Sequence, residues 1–155
     1  MNKLLLITII LSFNCMTCFS QTNKLPIPTN SFITKAIKSD DSEILYFTKY
    51  IGKKSERVLE RYDSKSICAK EFEFKTGIKY KTNSCNESSI EVEIIFPNYS
   101  KNDVIKFVEW FFNDGYNQWN KSKTIYQPKE EGDAGCYFEI KELKGKVILT
   151  YSCSC

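Results

Sequence analysis

The chain has 155 residues, of which 42% are hydrophobic, 14% aromatic and 26% charged. This length suits one compact domain, and the composition is too apolar for a disordered chain. The 22 basic and 19 acidic residues give a formal charge of +3, which is too small to predict nucleic acid as a partner. The chain has seven cysteines and no histidine, which excludes Ser-His and Cys-His catalytic pairs and imidazole metal ligands.

The N-terminus has the pattern of a secretory signal peptide. Lys3 is followed by an apolar run from Leu4 to Phe13 and then by small side chains at Cys18 and Ser20. A membrane-spanning helix needs roughly twenty apolar residues, so this shorter run predicts a cleaved signal peptide over residues 1–20. Cleavage near Ser20-Gln21 would deliver the chain to the periplasm or the exterior, without a transmembrane helix in the mature protein.

A lipid anchor on Cys15 or Cys18 is the alternative to simple export. A bacterial lipobox has Leu three positions before its cysteine, whereas Ser12 precedes Cys15 and Cys15 precedes Cys18 at that distance. The sequence therefore favours export without lipidation. Glycosylation does not identify the source, because chance predicts about as many Asn-x-Ser sequons as occur. Their asparagines are Asn86, Asn98 and Asn120.

The N-terminal part of the mature chain gives mixed signals. Residues 21–30 contain two prolines and predict an extended linker, and residues 31–155 are expected to form a single domain. Ser31 to Asp41 is ambiguous and fits a short helix. Ile44 to Ile51 is rich in Tyr, Phe and Ile, which favours a strand. Glu56 to Tyr62 fits a second strand, with a helix as the alternative.

A β-hairpin is predicted at residues 67–82. A three-residue loop ending in Gly77 sets apolar side chains opposite each other on one face and Glu opposite Lys on the other. The pairs are Phe74–Ile78, Phe72–Tyr80, Glu73–Lys79 and Glu71–Lys81. A two-residue loop would oppose Phe and Lys instead, so the longer loop is preferred. A further strand, Ile90 to Phe96, alternates apolar and polar residues.

An amphipathic helix is predicted at about residues 103–113. Ser100 and Asp103 resemble a capping box, and the apolar residues that follow fill one arc of the helix. Trp110 falls outside that arc. Its ring is therefore expected either to be covered by a neighbouring loop or to be exposed for a partner.

The cysteines that remain after cleavage predict disulfides, because export leads to an oxidising compartment. In a second hairpin, at residues 136–154, a two-residue turn places Cys136 opposite Cys153. The pair is non-hydrogen-bonded, where Cα atoms approach to about 4.5 Å, a separation that a disulfide accepts. Cys136–Cys153 is therefore the preferred bridge, with Cys136–Cys155 as the alternative.

The second expected bridge lies in the first hairpin. Its register places Cys68 opposite Ser84, and a bulge or frayed end would bring Cys68 to Cys85. Cys155 is then left as a free thiol. Together these patterns predict an α+β domain: a curved antiparallel β-sheet of five or more strands, packed by one amphipathic helix.

Aromatic and acidic side chains near polar loops are candidates for partner binding, because Tyr and Trp often anchor binding surfaces. The candidate set is Trp110, Tyr116, Trp119, Tyr126, Glu130, Glu131 and Asp133. The alternative is that the aromatic rings are buried against the edge of the sheet.

Catalytic and metal-binding patterns are weak. The C-terminal Cys-Ser-Cys lacks the spacing of redox pairs and a second pair of zinc ligands. The acidic loop after Pro128 does not match EF-hand spacing. Glu91, Glu93 and Glu139 would supply the carboxylates of a glycosidase, but the polar face of a sheet carries such residues routinely. No catalytic residue, metal ligand or cofactor is assigned from the sequence.

The sequence favours an exported binding protein without catalysis. A periplasmic inhibitor or immunity-type protein that caps another protein would fit, with a protein rather than nucleic acid as the partner. The alternatives are an exported hydrolase that uses carboxylates or the Cys155 thiol, and an envelope-associated structural protein or lipoprotein.

Overall fold

The computed structural model describes residues 23–63, 65–85, 89–113, 115–130 and 135–154. The expected signal peptide and the expected free thiol Cys155 lie outside these residues. The helices are α1 (Asn30–Ala36), α2 (Ser42–Tyr50) and α3 (Lys101–Phe112). The strands are β1 (Lys53–Arg61), β2 (Ile67–Phe74), β3 (Lys79–Asn83), β4 (Ser89–Pro97), β5 (Asn117–Trp119), β6 (Ile125–Pro128), β7 (Gly135–Leu143) and β8 (Lys146–Ser154).

The strands form one eight-stranded sheet in the order β1-β2-β3-β4-β8-β7-β6-β5. Neighbouring strands pair antiparallel, so the predicted α+β class with an antiparallel sheet is confirmed. The C-terminal strand β8 lies between β4 and β7. It therefore joins strands β1–β4 to strands β5–β7 in one sheet. The helix count differs from the prediction, because three helices rather than one are present in the described parts of the chain.

The predicted strand at Ile44–Ile51 is wrong, since most of this stretch belongs to α2. Aromatic and β-branched residues have a preference for strands, which is why a strand was predicted. The buried residues of this stretch, however, recur with the period of a helix. Ser42, Glu43, Tyr46 and Phe47 are buried, and their spacing puts them on one side of the helix. Tertiary packing therefore overrides a propensity that is weak and depends on context.

Both predicted hairpins are present with the predicted registers. In the first, Phe72 pairs with Tyr80 and Glu71 with Lys81, and Gly77 adopts φ +82° as the last loop residue. In the second, Cys136 pairs with Cys153. The loop lengths determine these registers because each loop geometry allows one alignment of its flanking strands.

Two disulfides brace the sheet, and they are the two bridges that the sequence predicted. Cys136–Cys153 links β7 to β8 with a Cα–Cα distance of 4.1 Å. Cys68–Cys85 links β2 to the residues after β3 with a Cα–Cα distance of 4.8 Å.

The helices cover one face of the sheet and enclose the core. α3 begins with the capping box of Ser100 and Asp103, as predicted. Phe107 of α3 stacks on Phe47 of α2 with ring centroids 5.1 Å apart, and Phe47 in turn packs against Phe74 of β2. These aromatic contacts join two helices to the sheet in one cluster.

Residues 23–29, within the stretch expected to be a linker, pack on the domain. Leu25 is buried in the core, and the carbonyl oxygen of Pro26 accepts a 2.6 Å hydrogen bond from the Tyr46 hydroxyl. Within the described ranges, each helix is too short or too polar to span a membrane.

Candidate functional site

The face of the sheet opposite the helices carries a groove of about 790 Å³. Strand side chains alternate between the two faces, so Phe72 and Phe138 point into the core while Glu71 and Glu139 point away from it. The groove crosses the sheet from β1, which contributes Leu59 and Glu60, to β6, which contributes Ile125 and Gln127. We call this surface the open face.

Strand pairing aligns the open-face residues in two rows. The Lys81 row is Arg57, Glu71, Lys81, Glu93, Thr150, Glu139 and Ile125. The Ser152 row is Glu60, Ala69, Asn83, Glu91, Ser152 and Tyr137. Directly paired side chains lie within reach of each other, so each row forms a continuous band across the sheet.

The groove follows from the sizes of the side chains along these rows. Ala69 on β2 and Thr150 and Ser152 on β8 are short side chains that line the groove. Leu59 near one end and Tyr137 near the other are large and exposed. Short side chains on β2 and β8, between the larger ones at the two ends, leave a depression that a ligand can enter.

The groove is acidic although the chain as a whole is basic. Four glutamates (Glu60, Glu91, Glu93 and Glu139) line it with the single ammonium of Lys81, a formal charge of −3 against +3 for the chain. The lining of the groove is therefore net acidic, a charge balance that favours cations over anions.

The four carboxylates differ in their ion pairs. Glu93 lies 3.3 Å from the Lys81 ammonium, and Glu139 lies 2.8 Å from that of Lys141. Among the residues that the structure describes, Glu60 and Glu91 have no ion pair. Their carboxylates are exposed and are the ones available to a cation that enters the groove.

The aromatic residues predicted for partner binding do not line this groove. Trp110 is half-buried, with its ring 6.1 Å from that of Tyr46, so α2 covers it rather than a loop. Trp119 is half-buried as well, and its Nε1 donates a 3.2 Å hydrogen bond to Glu109. Tyr126 is buried in the core, and its hydroxyl donates to the carbonyl of Phe112.

The other members of the predicted set are in loops. Tyr116 is 78% exposed, and Glu130 is also exposed. Glu131 and Asp133 lie outside the described residues. The structure therefore places Trp119 and Tyr126 together, with ring centroids 4.8 Å apart, as packing at the edge of the sheet.

The sequence contained the groove residues but not their assembly. Glu91 and Glu93 belong to β4, whereas Glu139 belongs to the second hairpin. The pairing of β4 with β8 brings them to one surface, with Thr150 between Glu93 and Glu139. No local turn specifies that pairing, so hairpin registers alone could not predict the groove.

A second feature that sequence reasoning missed is the buried carboxylate of Glu43, which is 3% exposed. Ser42 Oγ donates a 2.7 Å hydrogen bond to one carboxylate oxygen, and the Tyr151 hydroxyl donates to the other. Burial, and then the Glu43 charge, raise the pKa of Tyr151 well above its usual value. This network links α2 to β8 beneath the sheet and satisfies a polar group that is costly to bury.

Among the described residues, no group of three or more acidic or cysteine side chains is arranged to hold a metal ion. Comparison with protein-family models finds no match, and neither curated proteins nor solved structures give a significant one. The groove of the open face is therefore the candidate functional site.

Proposed function

We propose that the protein is an exported binding protein without catalytic activity, and that the groove of the open face holds a segment of a partner protein. An inhibitor or immunity-type protein of the periplasm would act in this way. The observation that carries the proposal is an acidic groove on a sheet face that none of the described helices lines.

Export is supported by the N-terminal pattern and by the two disulfides. Disulfides persist in oxidising compartments and are rare in the cytosol. The bridges Cys68–Cys85 and Cys136–Cys153 brace strands on either side of β4, which carries Glu91 and Glu93. A sheet held in this way presents its side chains in a fixed arrangement, which lowers the entropy cost of binding.

Binding is supported by the size and the ends of the groove. Its volume of about 790 Å³ lies within the range of ligand sites. Leu59, Ile125 and Tyr137 are exposed apolar or aromatic side chains at its two ends, where they would gain from being covered.

The test is to fill the groove. Thr150 lies at its centre, so Thr150→Trp would block it, and Thr48→Trp makes the same change at an exposed position on α2 as the matched control. Proteins of the native exported fraction would be captured on each variant and quantified by mass spectrometry. We expect a partner that the wild type and Thr48→Trp retain and that Thr150→Trp loses. A partner retained equally by all three would contradict the proposal.

The hydrolase alternative gains one observation, because Glu91, Glu93 and Glu139 line the same groove. However, a glycosidase needs two carboxyl groups that act together on one bond. Glu93 and Glu139 are instead held in ion pairs with Lys81 and Lys141, at 3.3 Å and 2.8 Å. Binding is therefore the function that the geometry supports better.

The lipoprotein alternative is tested by the mature N-terminus. Simple export predicts a chain that begins at Gln21, whereas an acyl anchor would leave Cys15 or Cys18 as the first residue. Mass measurement of the intact protein from its native membrane and soluble fractions distinguishes the two.

A further inference from the structure

We infer that the occupant of the groove is an extended segment of the partner protein with two lysine or arginine residues four positions apart, which pair with Glu60 and Glu91. This inference rests on the proposed function. It names the chemistry of the partner and the two side chains that select it.

The charge of the groove favours a cationic occupant. The residues that line the groove carry a formal charge of −3, or −2 when Lys141 is counted beside Glu139, within a chain of charge +3. A cationic segment is attracted to this face, and an anionic segment is repelled from it.

Two of the four glutamate carboxylates are available to pair with an incoming cation. Lys81 and Lys141 already neutralise Glu93 and Glu139, so an incoming cation gains less there. Glu60 and Glu91 have no ion pair among the described residues, and both are exposed. They are therefore the side chains that gain most from a cation.

The distance between Glu60 and Glu91 matches the spacing of residues in an extended chain. Glu60, Ala69, Asn83 and Glu91 are paired in turn across β1, β2, β3 and β4, so Glu60 and Glu91 are three strand spacings apart. The β1–β2 register shifts on either side of Glu60, and the Glu60–Ala69 pair itself is kept. At about 4.7 Å per spacing this is roughly 14 Å. An extended chain advances about 3.3 Å per residue, so about four residues cover that distance.

The spacing also agrees with the pleat of an extended chain. Residues four positions apart in such a chain point to the same side, so both cations would face the floor of the groove. The side chain midway between them would lie over Ala69 and Asn83, where the floor has short side chains. Residues three positions apart would point to opposite sides, and only one cation would then reach a glutamate.

The length of the groove sets the size of the segment. It spans seven adjacent strands from β1 to β6, which is roughly 28 Å at about 4.7 Å per spacing. An extended segment of about eight or nine residues fills this length. Leu59 at one end, and Ile125 with Tyr137 at the other, would cover apolar side chains that flank the cations.

The experiment measures the binding of a fluorescent octapeptide, Thr-Lys-Thr-Ser-Thr-Lys-Thr-Ser, to the purified protein with both disulfides intact. Two control peptides complete the set: one places the lysines three positions apart, and the other has glutamates in their place. Fluorescence anisotropy at low and at physiological salt gives the dissociation constants. Spermidine is tested as a competitor, because an acidic groove would also attract a small polyamine.

We expect the lysine peptide with a spacing of four to bind most tightly and to bind more weakly as salt rises. Glu60→Gln and Glu91→Gln should each weaken binding two- to fivefold, the range for an exposed ion pair, and the double variant should weaken it by about the product. Glu73→Gln is the matched control, since Glu73 lies on the same face outside the groove and pairs with Lys54 at 2.6 Å. It should change binding by less than about twofold.

Four results would overturn the inference: no binding of the lysine peptide at millimolar concentration, equal binding of the glutamate peptide, an unchanged double variant, or spermidine binding more tightly than any peptide. The proposed function fails differently. If Thr150→Trp abolishes binding of the captured partner while Glu60→Gln/Glu91→Gln does not, the groove remains the binding site and only the cationic segment is excluded. If Thr150→Trp leaves that partner bound, the proposed function itself is wrong.

Discussion

The covered face and the open face of the sheet place carboxylates in opposite surroundings. On the covered side, Glu43 of α2 is buried between the helix and the sheet and accepts hydrogen bonds from Ser42 and Tyr151. On the open face, Glu91 is exposed and, among the described residues, has no ion pair. A carboxylate can be buried only where donors replace water, whereas an exposed one keeps its hydration until a partner displaces it.

This difference separates the sources of stability and of recognition. Substitutions on the covered face should lower the free energy of unfolding and leave the chemistry of the groove unchanged. Substitutions on the open face should change binding in the groove and leave the free energy of unfolding nearly unchanged. The predictions below test that separation, beginning with the largest expected effect.

Phe47→Ala should lower the free energy of unfolding by about 3–5 kcal/mol, because it leaves a cavity among rings that the fold buries. Phe47 is 0% exposed and contacts Phe74 and Phe107. Urea unfolding followed by tryptophan fluorescence measures the loss. Leu59→Ala, at an exposed open-face position, should cost less than about 1 kcal/mol. Equal losses for the two variants would remove the distinction between the faces.

Replacing Cys136 and Cys153 together by Ser should lower the free energy of unfolding by about 3 kcal/mol, since the bridge limits the unfolded chain. The pair Cys68 and Cys85 should give a similar loss, because both bridges have a sequence separation of 17. Calorimetry of the two double variants checks this. A much larger loss for one bridge would show that native-state contacts, rather than loop entropy, dominate there.

Glu43→Ala should lower the free energy of unfolding by about 1–3 kcal/mol, because it leaves the buried hydroxyls of Ser42 and Tyr151 without their acceptor. Glu43→Gln keeps an acceptor oxygen and should cost less. Urea midpoints at neutral pH measure both. If Glu43→Ala proved as harmless as Glu91→Ala, the buried network would contribute nothing to stability.

Alkaline pH should lower the free energy of unfolding, through the buried tyrosines between the helices and the sheet. Burial raises the pKa of Tyr151, Tyr80 and Tyr46, so the folded protein keeps protons that the unfolded chain loses. The stabilisation is complete below the tyrosine pKa of the unfolded chain, about 10, and falls above it by up to about 1.4 kcal/mol per pH unit for each tyrosine. Unfolding midpoints between pH 9 and 11 check the slope. Tyr151→Phe should make that slope shallower, and an unchanged slope would contradict the assignment.

Glu91→Gln should change the free energy of unfolding by less than about 0.5 kcal/mol, because an exposed side chain without an ion pair contributes little to stability. The same variant should weaken binding in the groove. Urea unfolding and peptide binding measured on one preparation give both numbers. A stability loss comparable to that of Glu43→Ala would mean that Glu91 is structural.

Much of the local structure was predictable because short-range geometry determines it. The loop ending in Gly77 admits one alignment of β2 and β3, and the Lys144-Gly145 turn admits one alignment of β7 and β8. The Cys136–Cys153 pairing followed from the second register, whereas Cys68–Cys85 also needed the strand ends to deviate from the first register, which sets Cys68 opposite Ser84. The capping box of Ser100 and Asp103 likewise marked the start of α3 from adjacent residues.

The misassigned helix α2 shows where local reasoning failed. Its aromatic residues have a preference for strands, but the burial of Tyr46 and Phe47 against α3 and the sheet stabilises the helical form. Tertiary packing supplies more free energy than the small differences in propensity that separate helix from strand.

The sequence by itself determined the antiparallel hairpins, their registers, the Cys136–Cys153 pairing and the capped helix, since each depends on residues close together along the chain. Only the tertiary structure decided that β8 lies beside β4 and that α2 covers the sheet. Those contacts join distant segments, and their energy comes from burial of the shared core rather than from any turn. The groove, with Glu91 and Glu139 on one surface, exists because of them.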